Sequence, residues 1–101
     1  MQRVTFVRYT TKADHAEENE RLSREVFAEV RDVAPARLAY ALFRNGADFV
    51  HVFINMASED SEVLTGLPSF KAFSKDSGER YATAPEVIRL ELNLIESYGF
   101  R

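Results

Sequence analysis

The sequence predicts a single α+β domain with the element order β-α-β-β-α-β. Three observations support this order: segments that alternate between apolar and polar residues as strands do, one long segment with helical apolar spacing, and an Asn45-Gly46 turn between two strand-like runs. The chain has 101 residues, which suffice for one domain over residues 1–101 but not for two independent cores. The order is that of the ferredoxin-like fold, a four-stranded antiparallel sheet with two helices on one face.

The first part of the chain is predicted to form a strand, a long helix and the outgoing strand of a hairpin. Residues 3–10 are rich in β-branched and aromatic residues and alternate, as a half-buried strand does. Residues 13–34 are predicted to be helical, because acidic residues crowd the first turns and Pro35 follows the end. Residues 36–44 alternate again and lead into the turn. The apolar side of the helix is formed by Leu22, Val26, Val30 and Val33.

The second part is predicted to complete the hairpin and to add a helix and a closing strand. Residues 49–56 form the returning strand. Ser58 is placed to cap a short acidic turn that Gly66 ends, and Pro68 suits the first turn of the second helix. Residues 86–99 alternate and form the last strand. The helical spacing of the second helix is carried by Phe70, Phe73, Ser77 and Tyr81.

Both faces of the predicted sheet are apolar, which favours helices on one face and a second molecule on the other. In the third strand Val50, Val52 and Ile54 share an aliphatic face, which is predicted to receive the helices. The opposite face is mixed and carries His51, and we expect a second copy of the chain to cover it in a twofold homodimer. The aliphatic face is predicted to include Leu38, Tyr40, Leu42, Ile88, Leu90, Leu92 and Leu94. The mixed face is predicted to include Val7, Phe43, Phe49 and Phe53.

Composition and charge argue against several classes of protein. The net charge is −3, with 13 Lys and Arg scattered among 16 Asp and Glu, so we expect no nucleic-acid partner. There is no cysteine and there are two histidines, so we expect no metal site and no cofactor. The N-terminal residues lack the pattern of a signal peptide, and no apolar run reaches membrane-spanning length. A cytoplasmic protein without a membrane partner is therefore expected.

Three polar residues on the sheet-facing side of the first helix are the main candidates for a site. His15, Asn19 and Ser23 are spaced i, i+4 and i+8, so they lie in one row. A ligand between helix and sheet would meet this row, because buried polar groups need hydrogen-bond partners. The alternative is structural, since His15 can reach water and Ser23 can bond back to the helix backbone. The catalytic hypothesis names His15 and Asn19, with Ser23 as a ligand-binding residue.

His51 is the third catalytic candidate. If the aliphatic face meets the helices, His51 lies near the subunit contact and pairs with Glu91 or another polar side chain. The functional alternative is a proton acceptor or donor in a pocket, because the pKa of histidine lies near neutrality. Arg89 shares a face with Glu91, and an ion pair across the dimer is favoured over a contact with ligand. Further ligand-binding candidates are Tyr40, which can donate to a carbonyl or phenolate, Phe70 and Phe73.

The order of elements, the strand running into "ASED" and the segment "LPSFKAF" resemble the antibiotic biosynthesis monooxygenase-like family of dimeric α+β barrel proteins. The resemblance covers nearly the whole chain, and its most specific piece is residues 67–73, which are similar to the family's opening of the second helix. It implies homodimers whose sheets face each other, with the helices outside. In several members a small-molecule pocket lies between helices and sheet. Family activities include cofactor-free oxygenation of polycyclic aromatic compounds and degradation of haem.

The chain departs from the family pattern at several positions. Ser69 stands where the second helix of the family has a histidine, and Ile54 and Met56 replace a Glu and a Trp. Haem degradation is not expected, because the Asn, Trp and His set of those members has no match here and the chain has no Trp. One hypothesis is a cofactor-free monooxygenase or isomerase that acts on a small aromatic or quinol-type molecule. The other is a non-catalytic dimeric domain that binds a small ligand or serves assembly.

Overall fold

In a computed structural model of the chain, the described residues are 2–33, 38–55, 65–96 and 98. Their strands are β1 (Gln2–Thr10), β2 (Leu38–Asn45), β3 (Asp48–Asn55) and β4 (Glu86–Leu92). Their α-helices are α1 (Ala16–Val33), α2 (Pro68–Lys75) and α3 (Ser77–Arg80), and a 3-10 turn (Ala13–His15) precedes α1. The predicted cap at Ser58 and the predicted end of the third strand at Met56 lie outside the described residues.

The strands form one antiparallel sheet in the order β2-β3-β1-β4. The central pair runs from Arg3 opposite Asn55 to Thr10 opposite Asp48. The hairpin of β2 and β3 turns at Gly46, whose φ of 62° is a left-handed conformation that favours glycine. This topology confirms the predicted α+β, ferredoxin-like architecture, with the helices on one face of the sheet.

The ends of the helices and of the last strand differ from the prediction. α1 begins at Ala16, because the three residues before it form the 3-10 turn. The second helical segment is broken at Asp76, whose φ of −117° and ψ of 25° are not helical. β4 ends at Leu92, and residues 93–96 are not in a strand although their alternation predicts one. None of the helices in the described ranges is long and apolar enough to cross a membrane.

Contacts of three carboxylates fix α1 relative to its neighbours. At the start of α2, the backbone N–H of Ser69 donates to Oε1 of Glu29 at 2.8 Å, which satisfies a helix N-terminal donor and lowers the pKa of Glu29. At the other end of α1, the guanidinium of Arg44 lies 2.9 Å from Glu17 and 2.7 Å from Glu20. The long helix is therefore attached to α2 at one end and to the hairpin at the other.

The helices cover the face of β3 opposite to the predicted one. Phe49, His51 and Phe53 are 0%, 3% and 9% exposed and lie beneath the helices. Val50 and Val52 alternate with them and point to the other face. The prediction is wrong for this strand because it took the more aliphatic face to be the core. The aromatic rings instead fill the wide space between sheet and helices.

The register of the sheet extends this correction to the outer strands. Val7 is opposite His51, so it faces the helices and not the other side. Ile88 is opposite Phe6 and points away from the helices, and Leu90 and Leu92 follow it by alternation. For β2 the prediction is correct, because its helix-facing residues are Leu38, Tyr40 and Leu42.

The face of the sheet without helices, called the open face here, is strongly apolar. Its apolar side chains are Val4, Phe6, Ala39, Ala41, Phe43, Val50, Val52, Ile54, Ile88, Leu90 and Leu92, and Gln2, Arg8 and Glu86 lie on the same face. Phe43 is 61% exposed and Leu90 is 45% exposed, whereas such residues are usually covered when they form a contiguous patch. The aliphatic side chains of β3 and β4 that were expected to receive the helices thus lie on the face that no described helix covers.

Candidate functional site

A cavity of about 220 Å³ lies between the sheet, α1 and α2. Tyr40 and His51 line it from the sheet, and Val26 lines it from α1. α2 contributes the rings of Phe70 and Phe73, whose centroids are 6.4 Å apart. The cavity is therefore walled largely by aromatic rings, with polar groups at a few places, which is the usual make-up of a small-molecule site.

His51 is hydrogen-bonded through both ring nitrogens to tyrosine hydroxyls. Its Nδ1 lies 2.7 Å from Oη of Tyr40, and its Nε2 lies 2.8 Å from Oη of Tyr9. The edge of the ring meets Phe73, with centroids 5.8 Å apart, and the face is nearly parallel to Phe53. These contacts hold the imidazole in one orientation at the wall of the cavity.

Behind Tyr9 the hydrogen bonds continue into α1 and α3. Asn19 is fully buried and donates from Nδ2 to Oη of Tyr9 at 2.8 Å. Arg80 is 2% exposed and donates from Nε to Oδ1 of Asn19 at 3.0 Å. It also donates from Nη2 to the carbonyl oxygen of Phe73 at 2.6 Å, and its guanidinium lies over that ring. We call the whole set the hydrogen-bonded chain; its members are Arg80, Asn19, Tyr9, His51 and Tyr40.

Backbone pairing places Arg80 beside this part of the sheet. The N–H of Lys12 donates to the carbonyl oxygen of Arg80 at 2.8 Å. Two residues away, the N–H of Ala82 donates to the carbonyl oxygen of Thr10 at 2.8 Å. The end of α3 is therefore paired with the residues that follow β1, and this brings the guanidinium next to Tyr9.

Burial sets the protonation of the groups along the cavity wall. It lowers the pKa of His51 to about 4, so the imidazole is neutral at pH 7. It raises the pKa of Tyr9 and of Tyr40 well above the usual range, and it raises that of Tyr81 as well. At neutral pH the wall therefore presents an uncharged imidazole and protonated phenols.

Two arginines line the cavity on the side of β1 and β4. Arg89 stands opposite Thr5 in the sheet, and Arg3 forms an ion pair with Glu91 at 3.5 Å. Within the chain, Glu91 thus pairs with Arg3 and not with His51, and the ion pair of Arg89 and Glu91 across the dimer stays a prediction. No carboxylate of the described residues lines the cavity, so the charged side chains there are cationic.

The structure places the predicted site residues at different depths. His51, Tyr40, Phe70 and Phe73 line the cavity, and His51 is beneath the helices and not on the open face. Asn19 lies one hydrogen bond behind the wall. Ser23 is buried and donates to the carbonyl oxygen of Asn19 at 2.8 Å. This bond to the helix backbone is the structural role that the sequence offered as the alternative to ligand binding.

His15 lies apart from this site. It is in the 3-10 turn, its side chain is about one third exposed, and its Nδ1 is 2.9 Å from Oδ1 of Asp14. It does not line the cavity, so the row of His15, Asn19 and Ser23 does not converge on a ligand. The 3-10 turn changes the direction of residue 15 relative to the helical row that its spacing predicts.

Two members of the hydrogen-bonded chain were not among the sequence candidates. Tyr9 shares a face with Thr5 and Val7 by simple alternation, so its place on the helix-facing side was predictable once that face is known. The place of Arg80 was not predictable, because it depends on the break at Asp76 and on pairing with Lys12. The pairing with Lys12 has no local sequence signal.

Ser69, which stands where the family has a histidine, does not line the cavity. Its Oγ is buried and has no hydrogen-bond partner within the described ranges. Among the same residues, no three His, Cys, Asp or Glu side chains come close enough to hold a metal ion. The polar side chains that line the cavity are Tyr9, Tyr40 and His51 of the hydrogen-bonded chain, the two arginines, and Thr5, Asn55, Thr65, Ser74 and Tyr81.

Comparison with known proteins finds structural neighbours of the whole chain. No protein-family model and no curated protein sequence matches it. A solved structure from Mycobacterium tuberculosis superimposes with a TM-score of 0.82 at 16% identity, covering 96% of this chain and all of its own. One from Caulobacter crescentus, named "putative antibiotic biosynthesis monooxygenase", has a TM-score of 0.79 at 20% identity and covers 92% and 91% of the two chains. One from Bacteroides thetaiotaomicron with the same name has a TM-score of 0.81 at 14% identity and covers 99% and 96%.

The chain has the fold of the antibiotic biosynthesis monooxygenase-like proteins. The resemblance drawn from the element order and residues 67–73 is confirmed in this respect. At these identities the similarity extends to the backbone architecture, and an antibiotic biosynthesis monooxygenase-like fold does not by itself specify a reaction. The function has to be argued from the cavity.

Proposed function

We propose that the protein is a cofactor-independent enzyme of the monooxygenase type, which acts on a small aromatic or quinol-type molecule bound in the cavity. One observation carries the proposal: a neutral, buried His51 is held between two tyrosine hydroxyls at the wall of an aromatic pocket. A purely structural histidine can be enclosed by protein on all sides, whereas His51 lines a cavity beside Tyr40. The names of the structural neighbours agree with this reaction class.

The size of the cavity supports a small substrate. A dry cavity of about 150 Å³ is known to hold one benzene molecule. The cavity here is about 220 Å³, so it fits a single substituted ring or a compact pair of rings. The rings of Phe53, Phe70 and Phe73 offer such a substrate stacking and edge contacts.

The proposed chemistry needs little from the protein beyond binding, orientation and control of charge. A quinol-type substrate that has lost a proton is an electron-rich anion and reacts directly with O2. Where the keto form of the substrate carries a ring CH2 group, oxidation of that CH2 group to a carbonyl takes one oxygen atom of O2, and the second oxygen atom leaves with the two hydrogens as water. The protein contributes a dry pocket and a hydrogen bond to the substrate oxygen, which is worth more there than in water. The group that reaches the substrate is the hydroxyl of Tyr40.

The open face supports a homodimer in which two sheets pack against each other. Leu90 on β4 and Phe43 on β2 are at its two edges, so the apolar surface extends across all four strands. A twofold contact is the usual way to cover such a face. In this arrangement the cavity of each subunit remains between its own sheet and helices, on the side away from the contact.

Oxygen consumption with a panel of single-ring and two-ring phenols and quinols whose keto forms carry a ring CH2 group tests the proposal. Wild-type protein is expected to consume O2 and form one carbonyl per O2. His51→Asn and Tyr40→Phe are expected to reduce kcat by tenfold or more, whereas His15→Asn, which changes the surface histidine, keeps the wild-type rate. Saturable quinol binding without O2 consumption above the rate in buffer overturns the enzymatic proposal and leaves a ligand-binding protein.

A further inference from the structure

We propose that the buried guanidinium of Arg80 orders the protons of the hydrogen-bonded chain, so that the Tyr40 hydroxyl points its hydrogen into the cavity as a donor for an anionic oxygen. The site then selects molecules that present a phenolate, enolate or carboxylate oxygen to Tyr40. This inference deepens the proposed function by naming its substrate class, and it rests on the same cavity. It also assigns a positioning role to Arg80, which has no contact with the cavity.

The order of protons begins at Arg80. A guanidinium has only donors and remains charged in proteins, so the atom of Asn19 that faces Nε at 3.0 Å must be the carbonyl oxygen Oδ1. This settles which way the amide of Asn19 is turned. Its NH2 group then faces Oη of Tyr9 at 2.8 Å, and Tyr9 accepts a hydrogen bond from it.

The order passes next to the histidine. Because Tyr9 already accepts from Asn19, its own hydrogen is free to donate, and Nε2 of His51 lies 2.8 Å from its oxygen. The hydroxyl of Tyr81 is also beside Tyr9, but Nε2 is the acceptor at 2.8 Å, so we assign the Tyr9 hydrogen to Nε2, which is then the unprotonated nitrogen. A neutral imidazole with an unprotonated Nε2 carries its hydrogen on Nδ1. That nitrogen lies 2.7 Å from Oη of Tyr40, so His51 donates to Tyr40.

The opposite order gives up a short buried hydrogen bond. If Nε2 carried the hydrogen, the Tyr9 oxygen would accept from both Asn19 and His51. The Tyr9 hydroxyl hydrogen would then have to turn away from Nε2 at 2.8 Å towards the neighbouring hydroxyl of Tyr81, whose ring centroid is 4.2 Å from that of Tyr9. The order set by Arg80 keeps the short contact in a residue that is 3% exposed, and it is therefore favoured.

The last hydroxyl of the chain faces the cavity. Tyr40 lines it, and within the described ranges His51 is the hydrogen-bond partner of its hydroxyl. Its oxygen accepts from His51, so its own hydrogen remains to be donated to whatever occupies the cavity. A positive charge at the far end of the chain strengthens this donor, because hydrogen bonds in a series polarise one another. Arg89 at the other side of the cavity favours a negative ligand as well.

This arrangement changes the part that His51 plays. Neither of its nitrogens has a lone pair free to take a proton from a substrate, because one donates and the other accepts. His51 therefore acts as a link in a donor series and not as the base that its residue type suggests. The proton lost by the substrate leaves to solvent, and the protein favours the anion that remains.

Nitrogen NMR of the free protein tests the order of protons directly. In 15N-labelled wild-type protein near pH 7, we expect His51 to show a protonated Nδ1 and an unprotonated Nε2. His15 gives the second imidazole signal and is identified by its loss in His15→Asn. A protonated Nε2 at His51 overturns the inference, with no need for a ligand or an active enzyme.

Binding of 4-nitrophenol tests the selection of an anionic oxygen, because its phenol and phenolate forms absorb at different wavelengths. Bound 4-nitrophenol is expected to have a pKa at least about one unit below that of the free compound, because a hydrogen bond to the charged oxygen stabilises the phenolate. Tyr40→Phe should remove most of this shift. It should leave the binding of 4-nitroanisole, which has no ionisable hydroxyl, within about twofold.

Variants of Arg80 separate a positioning role from a merely structural one. Arg80→Met is expected to raise the ionisation pH of bound 4-nitrophenol towards that of the free compound, and Arg80→Lys, which keeps the charge, to restore part of the shift. If Arg80→Met does not fold, the wild-type NMR result and Tyr40→Phe still decide. The inference is overturned if the probe binds as the neutral phenol, does not bind at all, or ionises alike in wild type and Tyr40→Phe.

The two proposals fail separately. A phenolate that is bound and polarised as described, but never oxygenated, contradicts the enzymatic proposal and keeps the inference. Oxygen consumption by a protein whose His51 carries its hydrogen on Nε2 contradicts the inference and keeps the enzyme.

Discussion

The hydroxyl of Tyr40 reaches Nδ1 of His51 at 2.7 Å, although the two residues are not directly opposite each other in the hairpin. His51 is opposite Leu42, and Tyr40 is opposite Phe53, so the hydrogen bond crosses the strands diagonally. Long side chains on one face of a sheet can span such a diagonal. The contact commits one tyrosine and the only buried histidine of the described residues to the same wall of the cavity.

The stability of the protein should depend on the protonation of His51. Burial lowers the pKa of His51 from the ordinary 6.5 to about 4, so between these values the unfolded chain binds a proton that the folded chain does not. The free energy of unfolding is therefore expected to fall as the pH decreases from 6.5 to 4, by about 3 kcal/mol in total from this group. Urea denaturation over this range measures it.

The comparison variants for this experiment are His51→Asn and His15→Asn. The first should flatten the fall between pH 6.5 and 4, while the second, at the surface beside Asp14, should leave it in place. An unchanged slope in His51→Asn would mean that carboxylates alone cause the loss of stability.

Asn19 should contribute far more to stability than Ser23, its neighbour one turn along α1. Both are fully buried, but Asn19 joins Tyr9 to Arg80 whereas Ser23 bonds to its own helix. Asn19→Leu takes one hydrogen-bond partner from the Tyr9 hydroxyl and one from Nε of Arg80, both buried, and is expected to cost about 3 kcal/mol or more. Ser23→Ala is expected to cost less than about 1 kcal/mol. Chemical denaturation of the two variants checks the difference, and equal losses would contradict a central role for Asn19.

The cavity should set the size of the ligand, with Phe70 as the limiting wall. Phe70→Ala removes this partly buried ring. The affinity for 2-naphthol relative to that for 4-nitrophenol is expected to rise about tenfold, because 2-naphthol is larger and buries more apolar surface. Phe43→Ala makes the same substitution on the open face and should not change the ratio. Isothermal titration calorimetry gives both affinities. An unchanged ratio in Phe70→Ala would show that the ligand binds elsewhere.

Self-association should depend on the open face. Leu90→Asp places a charge within it and is expected to raise the dimer Kd at least about a hundredfold, because the twofold axis repeats the loss in both subunits. Val33→Asp is the matched control, since Val33 is 51% exposed at the end of α1 and Leu90 is 45% exposed. Sedimentation velocity at micromolar concentration measures both. A wild-type protein that is monomeric there would contradict the dimer.

The sequence predicts the strands, the helices and their order because each has a local signal. Alternation marks β1 to β4, the Asn45-Gly46 dipeptide marks the hairpin, and Pro68 marks the start of α2. The same alternation cannot decide which face of β3 is covered. It groups Phe49 with His51 and Val50 with Val52, but both groups are apolar enough to be buried.

The candidate site is predictable only in part for a related reason. Tyr40, His51, Phe70 and Phe73 were identified by residue type and spacing, and they do line the cavity. Arg80 lies beyond the reach of such reasoning, because tertiary pairing brings it to Asn19 across 61 positions of sequence. His15 illustrates the converse, since helical spacing places it in a row that a 3-10 turn interrupts.

The pairing of residues 10–12 with residues 80–82 has a consequence for motion. Arg80 is held by two backbone hydrogen bonds at this short pairing and by its own side-chain contacts, not by a long helix or a central strand. Local opening of a few residues would therefore withdraw the guanidinium without unfolding the sheet. The position of the Arg80 charge behind the cavity thus depends on local opening of one small segment. Amide hydrogen exchange at Lys12 and Ala82 reports how often this segment opens.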